Sequence, residues 1–173
     1  MKRAGFFFTE LDKQVHDRKS FDCGELQLNR FIQQFALRHR KAGISKTFVY
    51  TSVEEPTLII GFYTLTHTEI ERSSLTNKQA KKLPMYPVPV MLIAQLAVDK
   101  TFSGKGYGKV LLVKALQHCY EINKHLPSYA IVVDVLHDSL ISFYENYGFK
   151  YLDRHDHKKR FYLPMSVAEQ LFK

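Results

Sequence analysis

Residues 103–109 read SGKGYGK, and the apolar run VLLVKAL follows almost at once. Glycine is unfavourable at a helix start unless the backbone must turn tightly or approach something closely. Here Gly104, Gly106 and Gly108 stand between a strand-like stretch, VMLIAQLAV (90–98), and a helix expected over about 107–124. A glycine turn feeding a helix N-terminus is an anion site. Its free N–H groups converge, the helix dipole favours negative charge, and no Cβ obstructs phosphate oxygens. Lys105 and Lys109 add positive charge to the same loop. Two other phosphate loops fail on spacing. Walker A needs G-x-x-x-x-G-K-[ST], and the dinucleotide fingerprint needs G-x-G-x-x-G near the first strand. A purely structural turn is the competing account, and three glycines with two lysines ahead of a helix make it the weaker one.

A second stretch with chemical potential is SFYENYGF (142–149). The Tyr144 phenol, with an ordinary pKa of ~10, is a competent proton donor to a leaving group of similar basicity. Spacing alone favours a packed aromatic, a role that suits Phe143 better. Other reactive side chains point nowhere in particular. Cys23 and Cys119 form neither a metal-ligand spacing nor a disulfide framework, and read as thiols in a reducing compartment. The one histidine cluster, HDH at 155–157, sits among Arg154, Lys158, Lys159 and Arg160, poor company for a divalent cation. It reads as a solvated loop, and no metal site is expected.

The elements that must hold these residues follow from periodicity. From 21 to 41, Leu28, Phe31, Ile32, Phe35 and Ala36 lie on one face of a helical period. Asp22 with Glu25 resembles a capping box, and Phe21 with Leu26 a hydrophobic staple. Arg30 and Lys41 project away from the apolar stripe, flanked by Arg38 and Arg40; a solvated face explains them without a ligand. TFVYTSV (47–53) and TLIIGFYTLTHTEI (57–70), separated by EEP, predict a hairpin. Residues 72–89 predict a short helix and an extended, proline-rich approach. VMLIAQLAV and YAIVVDVL (129–136) read as strands buried on both faces. SLISFYENY (139–147) reads as a helix stopped by Gly148. FKYLD and KRFYLPM are expected to close the chain as a β pair. The result is an α/β fold with a mixed sheet flanked by helices, in one domain of 173 residues.

Composition agrees with a globular protein: 45% hydrophobic and 24% charged residues. No apolar run approaches the roughly 18 residues of a membrane span. The start, MKRAGFFFTELDKQ, has too short an apolar segment for a signal peptide, so a cytoplasmic location is expected. The net charge of +8 suits a polyanionic ligand, an acidic protein or a nucleic acid.

The loop resembles the pyrophosphate loop of the GNAT N-acetyltransferase superfamily, [QR]-x-x-G-x-[GA], as Ser103-Gly104-Lys105-Gly106-Tyr107-Gly108. LAVD (96–99) is similar to the family strand that splays at a bulge, and SFYENYGF matches its FYxxxGF ending. The three motifs span roughly 90–163. Ser103 departs from the family pattern, where Gln or Arg is usual. The resemblance implies a GNAT fold with splayed strands and acetyl-CoA as donor. It places Leu96, Ala97, Val98, Ser103–Lys109, Asp138 and Phe143 against the coenzyme, and the Tyr144 hydroxyl beside the thioester sulfur. The backbone N–H of Val98 would meet the oxyanion. Many superfamily members carry a glutamate on this strand as general base; MLIAQLAV has no carboxylate, and Gln95 cannot take a proton. A low-pKa acceptor follows, such as the α-amine of an aminoacyl ester.

Across nearly the whole chain, FDCG (21–24), GFYTLTHTEI and PVPVMLIAQLAVD resemble the TacT/AtaT-type toxins. That resemblance implies acetylation of aminoacyl-tRNA, inhibition of translation, a homodimer, and a ribbon-helix-helix antitoxin. Basic residues Arg30, Arg38, Lys41, Lys78, Lys81, Lys82 and those of 154–160 are then candidate contacts for a phosphate backbone. Each run alone is better read as solvated surface; their sum shifts the balance. Two alternatives stand beside this: an acetyltransferase for a small amine or protein lysine, and a non-catalytic acyl-CoA-binding module.

Overall fold

The computed structural model describes residues 5–173. The basic start weighed above as a leader, Met1–Ala4, lies outside the described residues. In chain order the elements are β1 (Phe6–Glu10), α1 (Leu26–Arg30), a π-helical turn (Phe31–Phe35), α2 (Ala36–Lys41), β2 (Lys46–Ser52) and β3 (Gly61–Ile70). Then come α3 (Asn77–Ala80), β4 (Val88–Val98), α4 (Tyr107–Asn123), β5 (Ala130–Val135), α5 (Ile141–Glu145), β6 (Lys150–His155), β7 (Lys158–Pro164) and α6 (Met165–Phe172). Short 3-10 turns at Arg72–Ser74, Lys100–Phe102 and Asp138–Leu140 link some of them. Seven strands form one mixed sheet in the order β1-β2-β3-β4-β5-β7-β6. β1, β2 and β3 pair antiparallel, as do β5, β7 and β6, whereas β4 and β5 run parallel. The parallel ladder covers only Met91–Ile93 against Ile131–Val133. β4 continues beyond it to Val98.

The chain divides into two compact units, Met1–Thr66 with Ala94–Ala115, and His67–Ile93 with Leu116–Lys173. Their boundaries fall inside β3, β4 and α4, so each unit is built from both halves of the sequence. The first has a core of Phe21, Phe31, Ile32, Val49, Phe62 and Ala97. The second packs Ile70, Val88, Val90, Ala130, Val132, Leu152 and Tyr162. Burying one large aliphatic or aromatic side chain contributes roughly 1.5–3 kcal/mol, so these clusters dominate the stability of each unit.

Several expectations are corrected here. The helix over 21–41 begins only at Leu26, and Ala36 N–H reaches back to Phe31 O, five residues away. This π turn inserts a residue into the helical register; even so, Phe31, Ile32 and Ala36 are buried as the apolar stripe requires. The Asp22/Glu25 capping box does not form, since Glu25 caps α1 without a side-chain bond. Nor does the staple: Phe21 is buried but Leu26 is 81% exposed. A capping box does form at Thr76–Gln79. The second hairpin strand starts at Gly61, because 57–60 is held in a turn where the Thr51 hydroxyl donates to Glu55 O and Leu58 O.

Two elements have weak local signals. β1, FFFTE, is too short to announce itself but pairs residue for residue with β2, Phe6 to Ser52 through Glu10 to Phe48. α6 follows the closing β pair and buries Met165 and Ala168 at helical spacing. The HDH cluster is a hairpin turn, as expected of a solvated loop. Asp156 and His157 both have positive φ, 47° and 65°, the backbone a two-residue turn between β6 and β7 requires. Among the described residues no group of His, Cys, Asp and Glu could hold a metal ion, and no helix is long and apolar enough to cross a membrane.

Candidate active site

In the first unit, β4 ends at Val98 and Asp99 starts a 3-10 turn that delivers the chain to Ser103. Gly104 and Gly106 adopt φ of 74° and 84°, and a Cβ built on either would meet no atom within 4 Å. The concave face of the loop is therefore open, and its curvature is one that residues with side chains rarely adopt. α4 begins at Tyr107 and runs 17 residues, so its first-turn N–H groups face the loop without intrahelical partners. A phosphate fits this cradle, since glycine curvature and N–H donors coincide. Lys105 and Lys109 are exposed, and the Lys105 ammonium lies 5.6 Å from the Phe102 ring centroid. Ser103 donates its backbone N–H to Lys100 O at 3.2 Å. Its amide is thus spent within the turn, and only the hydroxyl remains to reach a ligand. The Tyr107 side chain joins Phe6, Tyr50 and Phe102 in an aromatic cluster with centroids 5.8–6.0 Å apart, so only its backbone belongs to the cradle.

What holds this loop in place is the FDCG turn. Asp22 N–H donates to Asp99 Oδ2 at 3.0 Å, and Lys100 N–H donates back to Asp22 O at 2.8 Å. Lys100 Nζ lies 2.8 Å from Asp22 Oδ2. The other Asp22 oxygen accepts from Gly24 N–H and from the Asn29 amide, both at 2.9 Å. The Lys100 ammonium, the Gly24 N–H and the Asn29 amide together hold the Asp22 carboxyl well below the usual carboxylate range. Gly24, at φ 84°, provides the turn. Replacing Asp22 by Ala removes the acceptor for three donors next to the glycine loop. KM for acetyl-CoA is expected to rise about tenfold or more with kcat nearly unchanged, because misplacing a binding group by ~1 Å can cost about 100-fold. Steady-state kinetics check this, and an unchanged KM would show that the loop keeps its shape alone.

Gly61 is a second positioning residue without a local sequence signal. A Cβ there would stand 2.8 Å from the Ala97 carbonyl oxygen and 2.7 Å from Leu111 Cδ1. β3 approaches the end of β4 this closely only because residue 61 lacks a side chain. Ala97 is itself buried in the core, while Leu96 and Val98 are half-buried.

In the second unit, Tyr144 ends up buried on α5, with edge-on contacts to Phe143 and Phe149 at 5.1 and 5.7 Å. Tyr144 is thus the more deeply buried member of the pair, and Phe143 the half-buried one, contrary to the expectation that Phe143 is the packing residue. Packing and chemistry are compatible here: the ring is fixed, and the hydroxyl has no hydrogen bond among the described residues. Burial pushes the phenol pKa up to about 12, so it stays protonated throughout the physiological range. α5 is shorter than the helix expected over 139–147: it stops at Glu145 with Asn146 as its C-cap, and Gly148, at φ 95°, lies in the turn beyond it, where Phe149 N–H returns to Tyr144 O at 3.4 Å. Asp138 is exposed and lies 3.2 Å from Lys159 Nζ.

The basic residues are sorted by their partners. Arg30, Arg38 and Lys41 are exposed in the first unit, with the Arg30 guanidinium 5.6 Å from the Phe35 ring centroid. Lys81 and Lys82 are exposed in the second. Arg40 is occupied by Glu10. Arg160, counted above among surface cations, is 4% exposed and grips Asp134 with two bonds of 2.7 and 2.9 Å. The two face each other across β5 and β7, which removes Arg160 from any phosphate-binding track. Cys119 is buried, its thiol pushed up to about 12, and burial also raises that of Cys23. Neither is a poised nucleophile.

A mixed sheet with a short parallel ladder and a glycine turn leading into a helix is the frame of an acyl-CoA-dependent transferase. The chain belongs to the GNAT acetyltransferase family, whose acetyltransferase (GNAT) domain profile matches residues 43–151, and it is an N-acetyltransferase that uses acetyl-CoA. Within that family it is of the TacT/AtaT toxin type. It is 31% identical to a "tRNA-acetylating toxin" of Mycobacterium tuberculosis over 85% of this chain and 86% of that one. It is 28% identical to a "probable toxin TacT" of Sinorhizobium fredii, over 93% and 92%. Among solved structures, a tyrosine mutant of KacT superposes with a TM-score of 0.88 at 26% identity, covering 97% and 99%. AtaTR bound with acetyl-CoA superposes at 0.83 and 25%, covering 98% and 99%.

Proposed function

We propose that this protein is a toxin that transfers the acetyl group of acetyl-CoA to the α-amine of aminoacyl-tRNA and so blocks translation. The observation that carries the choice of acceptor is the side-chain set of β4 beyond its parallel ladder. Ala94-Gln95-Leu96-Ala97-Val98 offers no carboxylate to deprotonate an ammonium. An acceptor that is already neutral is required, and an α-amine acidified by its ester meets that need. The name of the Mycobacterium relative supports the reading.

Acetyl-CoA supplies an activated acyl group as its thioester. The roles proposed for this chain are the following. The N–H groups of Gly104–Lys109 and the α4 N-terminus hold the pyrophosphate, with Ser103, Lys105 and Lys109 beside them. Leu96–Val98 presents backbone groups to the pantetheine arm, with the Val98 N–H at the carbonyl oxygen. The Tyr144 hydroxyl hydrogen-bonds to the departing sulfur. A phenolate is a far stronger base than a thiolate of pKa ~8.5. The phenol therefore stabilises the developing charge, and the proton that ends on sulfur originates from the ammonium formed on the attacking nitrogen. Arg30, Arg38, Lys41, Lys81 and Lys82 contact the tRNA backbone. Phe143 and Asp138 flank the coenzyme, Asp138 keeping Lys159 in place. The 173 residues act as one catalytic domain, as a homodimer in the cytoplasm, restrained by a ribbon-helix-helix antitoxin.

Incubation with labelled acetyl-CoA and total charged tRNA tests the reading. Label is expected in the tRNA fraction and is expected to be lost when the aminoacyl ester is hydrolysed. Acetylation of polyamines or peptides with none on tRNA would sink it in favour of a small-amine or protein acetyltransferase. Expression in growing cells is expected to arrest growth with wild-type protein and not with Tyr144→Phe.

A further inference from the structure

We propose that the side-chain carbonyl of Gln95 is a built-in acceptor for an N–H group of a bound reactant, which makes Gln95 a positioning residue on β4. Gln95 lies two residues past Ile93, the last residue paired with β5, and three before Val98, where the strand ends. Its Oε1 is buried with no hydrogen-bond donor. Its chain neighbours, Ala94 and Leu96, are apolar. A buried carbonyl without a donor costs free energy, and in a native protein such an orphan calls for an explanation. Leucine or methionine would fill the same space at no such cost. A ligand that brings the donor supplies the explanation, and the orphan stands on the strand segment that the transfer reaction uses.

An acceptor amine and a pantetheine amide both present N–H groups. An amide oxygen accepts from a neutral amine without binding a proton, and so leaves the nitrogen lone pair free to attack. A carboxylate at this position would instead favour the ammonium form. Gln95 therefore suits an amine that arrives neutral, an argument that rests on the acceptor reading above.

The experiment compares wild type, Gln95→Leu and Gln95→Glu by steady-state kinetics with charged tRNA and acetyl-CoA varied separately, together with thermal melts. Gln95→Leu is expected to raise Tm by about 2–4 °C, because a buried orphan is removed. It is expected at the same time to lower kcat/KM about tenfold. A merely structural glutamine would lose stability and activity together. If the loss falls on charged tRNA, the reacting amine supplies the N–H; if it falls on the KM for acetyl-CoA, the pantetheine arm does. Gln95→Glu keeps an acceptor for an amide N–H but favours the ammonium form of an amine, so above its own pKa it is expected to restore activity if the pantetheine arm supplies the N–H and to leave it low if the reacting amine does. Wild-type kinetics in Gln95→Leu for both reactants overturn the proposal. Should wild type label only simple amines, the tRNA reading falls by itself, and the same three proteins are compared on that amine with the same two outcomes.

Discussion

Replacing Tyr144 by Phe is expected to lower kcat for acetyl transfer by roughly 100- to 10,000-fold while leaving the Kd for acetyl-CoA within about twofold. The ring is held by Phe143 and Phe149, contacts that phenylalanine keeps, and among the described residues the hydroxyl makes no hydrogen bond that its loss would disrupt. The fold and the cradle at Gly104–Lys109 are therefore preserved, and the only change is the loss of the donor proposed for the thioester sulfur. Because burial holds the phenol pKa up at about 12, the donor form persists as pH rises. The wild-type kcat/KM profile should thus show no falling limb from this group below pH ~10. Rapid-mixing assays of acetyl transfer with calorimetric binding of acetyl-CoA separate the two quantities. A Phe variant that retains a third or more of wild-type kcat would remove Tyr144 from the chemistry and leave it as a packing residue.

The largest effect on stability is expected at Arg160. Its guanidinium is 4% exposed and binds both oxygens of Asp134, whose side chain is 19% exposed. Asp153 faces it from β6 and keeps one buried carboxylate oxygen without a partner; the other accepts from the Ser74 hydroxyl at 2.5 Å. Arg160→Met leaves two carboxylates with no cation between them. Breaking a buried pair from one side costs about 3–5 kcal/mol, which for a chain of this size lowers Tm on the order of 10 °C. The double variant Asp134→Leu/Arg160→Met removes the stranded charge and is expected to recover most of the loss. Denaturant melts of the two variants decide the matter: equal destabilisation would mean that packing, not uncompensated charge, is the cause.

These two residues also mark how far local sequence reasoning reaches. Tyr144 is legible because its whole context, SFYENYGF, is contiguous: the helix, its glycine stop and the aromatic ring neighbours fall within eight residues. The glycine cradle is legible for the same reason, since positive φ and helix initiation are local properties. Arg160 is not. In the string RHDHKKRFY it looks like one more surface cation, and only the pairing of β5 with β7 sets it opposite Asp134. The staple between Phe21 and Leu26 fails on the same principle. Asp22 satisfies its neighbours through Gly24, Asn29 and Lys100 instead, and the helix starts later than the capping pattern implies.

The sequence by itself determined the local devices: the glycine loop before α4, the aromatic helix preceding Gly148, the buried strand β5, and the absence of a carboxylate on β4, which is itself only half-buried over most of its length beyond Ile93. Each depends on residues within about one turn or strand of one another. Tertiary structure alone decided the rest, because it turned on partners far apart in the chain. Asp22 meets Asp99 across 77 positions, so FDCG becomes the clamp on the glycine loop. Gly61 makes room for Ala97, and β1 exists because β2 pairs with it. For SGKGYGK itself, folding settled a division of labour that composition could not: Tyr107 gives its ring to the aromatic cluster with Phe6, Tyr50 and Phe102, Ser103 gives its amide to the turn, and the glycines keep the open face.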